Sequence, residues 1–136
     1  RIGNLMNRTE TAQLVTTIYA HHHAQASEVD VNLFFNELDP DMSIRDAMEA
    51  VRCFYAENTT GRWMGSGDVN AAVRRMIRKR IPDDATITRL IIKYDIPSER
   101  QLEFVRRLVR QSAKGISFDA AVSSAVKVIE AKEGDR

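Results

Sequence analysis

Apolar residues recur at three- and four-residue intervals between turn signals along this chain, the spacing that places them on one face of an α-helix. Asn7 and Glu10 form a capping box that opens a first helix carrying Leu14, Val15, Ile18 and Tyr19 as far as the His21-His22-His23 run. Behind Ser27 or Asp30 as cap, Val31, Phe34, Phe35 and Leu38 follow the i, i+3, i+4, i+7 template until Asp39-Pro40 stops it. Ser43 with Asp46 starts a third helix, whose buried stripe reads Ile44, Ala47, Met48, Val51, Phe54 and Tyr55 and which ends at Asn58-Thr59-Thr60-Gly61. After the turn Gly65-Ser66-Gly67, with Ser66 as cap, Val69, Ala72, Val73, Met76 and Ile77 define a fourth, ending at Ile81-Pro82.

Beyond Pro82 the period is less decisive. Ile87, Leu90, Ile91 and Ile92 fit helix or strand, and a short helix is the reading adopted. Ser98 and Gln101 form another capping box, from which Leu102, Val105, Leu108 and Val109 run to Gly115, a residue suited to a left-handed C-terminal turn. Phe118, Val122, Ala125, Val126 and Ile129 carry the last helix, with Lys132 to Arg136 expected to fray. The expected fold is all-α: a compact bundle of about four helices over residues 6–81, followed by a C-terminal helical hairpin over 82–136. Leu14, Ile18, Phe34, Phe35, Leu38, Met48, Val51, Phe54, Val73 and Ile77 are expected to share the first core.

Composition narrows the function classes. With 136 residues, 43% apolar and 29% charged, the chain can bury one core with a small appendage and is not a disordered polyelectrolyte. Lys and Arg number 20 against 19 Asp and Glu, so net charge identifies no partner. Arg1 to Leu5 read as a cloning remnant ahead of a natural start at Met6. Cys53 is the only cysteine, which excludes an intramolecular disulfide and a Cys-based zinc site and fits a reducing cytoplasm. No apolar run approaches the roughly 20 residues of a membrane helix.

Candidate chemistry is sparse. The three adjacent His side chains diverge by about 100° per residue and no H-E-x-x-H pattern accompanies them, so a polar helix end whose imidazoles meet the terminal carbonyls, not a metal site, is expected. Gly61 to Asp68 lacks the lysine and hydroxyl of a phosphate loop; Trp63 and Met64 are expected to tuck against the bundle, with Trp63 as a partner anchor the alternative. Cys53 has no base beside it, and the acidic tract from Glu28 to Glu49 offers no acid/base pair. The expectation is a protein with no enzymatic activity, cofactor or metal.

Positive charge, by contrast, is segregated. Arg74, Arg75, Arg78, Lys79 and Arg80 follow Asp68 with no further acid on their helix, and Arg74, Arg75 and Arg78 are expected to be largely exposed. Arg100, Arg106, Arg107, Arg110 and Lys114 are expected on one arc of the Ser98 helix, opposite Leu102, Val105, Leu108 and Val109. Such faces suit nucleic-acid phosphate or an acidic protein surface, and without interleaved aromatics a nucleic-acid contact is weakly sequence-specific.

Thr9 to Val15, the Val31-x-x-Phe34-Phe35-x-x-Leu38 segment, Asp46-Ala47-x-x-Ala50-Val51-x-x-Phe54-Tyr55 and Trp63-Met64-x-x-x-Asp68-Val69 resemble a known pattern. Over roughly residues 8–80 the chain is similar to the small ATP-independent phage replicative-helicase loader and inhibitor proteins, and to related replication-region proteins of actinobacterial phages. Phe35 stands where that family commonly has Trp, and Gly65 where it has Pro. The resemblance implies a non-enzymatic adaptor, in the host cytoplasm, that binds a replicative DNA helicase or another replication protein. The alternative is a small DNA-binding regulator using the basic helix 66–80.

Overall fold

The computed structural model describes residues 5–134 and is all-helical. Residues 1–4, most of the stretch read as a remnant, and residues 135–136 lie outside the described residues. Among the described residues seven α-helices follow in order: α1 Arg8–Ala20, α2 Glu28–Glu37, α3 Ile44–Glu57, α4 Ser66–Arg80, α5 Asp84–Lys93, α6 Gln101–Ala113 and α7 Phe118–Gly134, with a 3-10 turn at Ser98–Arg100. They form two compact units, residues 1–76 and 77–136, divided inside α4, about one turn before the boundary read from Ile81-Pro82.

Side chains start the first three helices. Asn7 accepts the Glu10 N–H at 2.8 Å while Glu10 accepts the Asn7 N–H at 3.0 Å, and Ser27 with Asp30 repeats this reciprocal box. Ser43 Oγ accepts the Asp46 N–H at 3.1 Å. α4 starts differently from the expectation. Asp68 accepts the Gly65 N–H at 2.8 Å, and Ser66, expected as the cap, donates instead to Glu37.

In the first unit α1 packs against α2 and α3. Leu14, Val15, Ile18, Phe34, Leu38, Val51, Val69 and Val73 are buried, and Met42 and Met64 join them from the connecting segments. The expected single core is corrected in four places. Met48 and Phe54 are half-buried because Ala47, Ala50 and Val51 take the inner positions of α3, Phe35 is half-buried where Phe34 is the buried residue of α2, and Ile77 belongs to the second unit.

In the second unit Phe104 and Leu108 of α6 pack with Leu90 and Ile96 and with Ala121, Val122, Ala125 and Ile129 of α7. Phe104, not assigned to the core from sequence, is 0% exposed, whereas Leu102 is 63% exposed. Two positions apart on a helix are about 200° apart, so burying Phe104 turns Leu102 outward. The Ser98/Gln101 capping box does not form: Ser98 opens the 3-10 turn, and Gln101 donates to the Ile96 carbonyl at 3.2 Å. α7 stays helical to Gly134, with Lys132 bonded to Glu103, where fraying was expected.

Three helices end alike. Ala24 N–H reaches the Tyr19 carbonyl, Ile96 N–H the Ile91 carbonyl and Ile116 N–H the Gln111 carbonyl, each bond closing over one left-handed residue. Those residues are His23 at φ 53°, Asp95 at φ 50° and Gly115 at φ 88°, and only the last is a glycine.

Candidate partner-binding surfaces

The segment joining α3 to α4 is held by its own polar side chains. Asn58 Oδ1 accepts the Thr60 N–H and hydroxyl, Asn58 Nδ2 donates to the Arg62 carbonyl at 2.9 Å, and Gly61 takes a left-handed φ of 77°. Arg62 makes a two-pronged bond to Asp68 at 3.0 and 3.3 Å and lies over the Phe54 ring, 4.9 Å from its centroid. The Met64 N–H donates to the Tyr55 hydroxyl at 3.0 Å while its side chain is buried. Met64 tucks in as expected; Trp63, its neighbour, stays 44% exposed.

Trp63 is nonetheless braced. The His22 ring stacks on it at 3.9 Å and 6°, Tyr19 meets it edge-on at 4.9 Å and 88°, and His22 Nε2 lies 2.7 Å from the Tyr55 hydroxyl. His21 stacks on the Tyr55 ring at 4.0 Å. This corrects the His triplet: two of its rings support an aromatic cluster instead of meeting helix-end carbonyls, and the third supplies the left-handed turn that ends α1. Sequence reading missed His21, His22 and Tyr55 as parts of this site. Burial, and then a bond to Asp30, raises the Tyr19 hydroxyl above its ordinary pKa, while Ser27, and then Tyr19, lowers that of Asp30.

The basic block of α4 does not act as one. Arg74 makes a two-pronged bond to Asp39, 2.8 Å on each arm, which raises the guanidinium pKa further, and Arg80 donates to the Ala113 carbonyl. The acid that balances Arg74 comes from the α2–α3 connection, so the lack of a further acid after Asp68 on α4 was a poor guide. Ser66, Asn70 and Arg74 form one polar stripe whose bonds tie α4 to the end of α2: Asn70 accepts from Asp39 N–H and donates to the Glu37 carbonyl, both at 2.9 Å. Arg74, Arg75 and Arg78 are exposed as expected, and among the described residues Arg75, Arg78 and Lys79 have no hydrogen-bond or ion-pair partner.

On α6 the expected arcs are also redrawn. Arg106 and Arg110 share the exposed side with Leu102, while Arg107 is half-buried and donates to Ser124 Oγ at 3.2 and 3.4 Å. Arg100 lies 3.5 Å from Glu103, which Lys132 also holds; those bonds, Lys132 foremost, lower the Glu103 pKa.

Cys53 faces Glu49 on α3. Hydrogen bonds from Arg52, and then from the Cys53 thiol, hold the Glu49 carboxyl down at about 2, and the same carboxylate pushes the thiol pKa up, away from the reactive thiolate. Among the described residues no group of three His, Cys, Asp or Glu converges as metal ligands, and no helix is long and apolar enough to cross a membrane. No protein-family model, curated protein or solved structure matches the chain.

Proposed function

We propose that the protein is a non-enzymatic, ATP-independent adaptor of phage DNA replication that binds a replicative helicase in the host cytoplasm, with Trp63 as its anchor. The observation that carries this reading is a tryptophan 44% exposed yet stacked on His22 and Tyr19. A ring already held in place loses little side-chain freedom on docking, and exposed tryptophans dominate binding energy at protein interfaces. The resemblance over residues 8–80 is what favours a replicative helicase as that partner.

Binding to DNA through the 66–80 helix is the weaker reading. With Arg74 tied to Asp39 and Arg80 to a carbonyl, Arg75, Arg78 and Lys79 remain for phosphate. Three contacts correspond to a slope of log affinity on log salt of about −3. Trp63→Ala should lower affinity for a hexameric replicative helicase by about 2 kcal/mol or more, with an unchanged circular-dichroism spectrum. Unaltered helicase affinity in that folded variant, or duplex binding with the three-contact salt slope, contradicts the proposal.

A further inference from the structure

α6 and α7 of the second unit enclose a groove of about 520 Å³. At one end the charges are already satisfied, since Glu103 is held by Lys132 and Arg100. Further along, three guanidiniums line the groove with no carboxylate partner among the described residues. Arg107 donates only to the neutral Ser124 hydroxyl, and Arg106 and Arg110 bond to nothing. Leu102, 63% exposed, stands one turn before Arg106, so Leu102, Arg106 and Arg110 form a single i, i+4, i+8 stripe along the rim.

From this we infer that the α6–α7 groove is a second docking site, distinct from the Trp63 surface, for an acidic amphipathic helix of a protein partner. Its carboxylates pair with Arg106 and Arg110 and an apolar side chain covers Leu102. A nucleic-acid backbone fits the same groove less well, because phosphates give the exposed Leu102 nothing to pack against. Carboxylates spaced one helical turn apart match guanidiniums at the same spacing, and each such pair forms a directional two-pronged bond. The inference does not depend on the helicase reading, because no residue of the Trp63 cluster lines this groove.

The test uses the whole chain and a fluorescein-labelled amphipathic peptide with leucine on one helical face and glutamate on the other, with labelled oligothymidylate as the second probe. Peptide binding read by fluorescence anisotropy should weaken about tenfold or more in Arg106→Ala/Arg110→Ala, weaken severalfold in Leu102→Ser, and be unchanged in Trp63→Ala. The reversed pair Arg106→Glu/Arg110→Glu should instead take the lysine counterpart of the peptide, a gain that misfolding cannot mimic. Failure of the wild-type chain to bind the glutamate peptide, indifference of its binding to Leu102→Ser, or oligothymidylate binding through the same arginines overturns the inference. Loss of helicase binding in Trp63→Ala with peptide binding intact leaves it standing.

Discussion

Around α4 the first unit is tied by directional bonds: Ser66 to the Glu37 carboxylate, Asn70 to the Glu37 carbonyl and Asp39 N–H, Arg74 to the Asp39 carboxylate. The second unit is closed by Phe104 and Leu108 against Ala121, Val122 and Ala125, small residues that let α7 approach closely, and its Arg107–Ser124 and Lys132–Glu103 bonds only flank that contact. The difference lies in what the arginines beside each contact do. Arg74 is recruited into the bond network that holds α4, whereas Arg106 and Arg110, beside the apolar seam, have no hydrogen-bond or ion-pair partner among the described residues.

The largest effect that probes this contrast is loss of the apolar seam. Phe104→Ala should destabilise the second unit by about 3 to 5 kcal/mol in denaturant unfolding, whereas Phe54→Ala, at a half-buried ring with Arg62 over its face, should cost about 1 to 2 kcal/mol. Equal costs would mean that the two units do not differ in how they are held. Next comes the clasp. Asn70→Ala leaves the Asp39 N–H and Glu37 carbonyl without their partner and should cost about 1 to 3 kcal/mol, while Arg74→Ala, removing a more exposed ion pair screened by solvent, should cost clearly less. A reversed order would show that the ion pair, not the amide, ties α4 to α2.

Helix ends give a smaller and opposite-signed pair. Gly115→Ala places a side chain at φ 88° and should cost about 1 kcal/mol, whereas Asp95→Gly relieves a left-handed residue at φ 50° and should add about 0.5 to 1 kcal/mol in thermal unfolding. The smallest effect is a titration. A Glu49 carboxyl held at about 2 in the folded chain, against 4.5 ordinarily, contributes stability that is complete above 4.5 and is lost as pH falls toward 2. Carbon-detected NMR of that carboxyl should place its midpoint near 2; a midpoint near 4.5 would show that Arg52 does not hold it.

Much of the helical framework can be read directly from local chemistry. Asn7 with Glu10, Ser27 with Asp30 and Gly115 each act within one turn of chain, so their roles depend on neighbours that the sequence displays. Phe104 was missed because Leu102 and Val105 supply a plausible stripe, and only the packing of α7 decides which arc turns inward. The sites are harder to read because their partners are distant: His22 meets Tyr55 across 33 residues, and Arg74 meets Asp39 across 35. A triplet of histidines shows nothing of the rings it will stack on, and a run of arginines does not reveal which one is already bonded.

Trp63 is the chain's one tryptophan, so a fluorine label on the indole reports on the proposed anchor alone. Fluorine NMR of protein labelled with 5-fluorotryptophan should show a single resonance that shifts and broadens when hexameric replicative helicase is added and stays unchanged with duplex DNA. A resonance indifferent to helicase that co-purifies with the protein, or one moved by duplex DNA alone, would contradict the account.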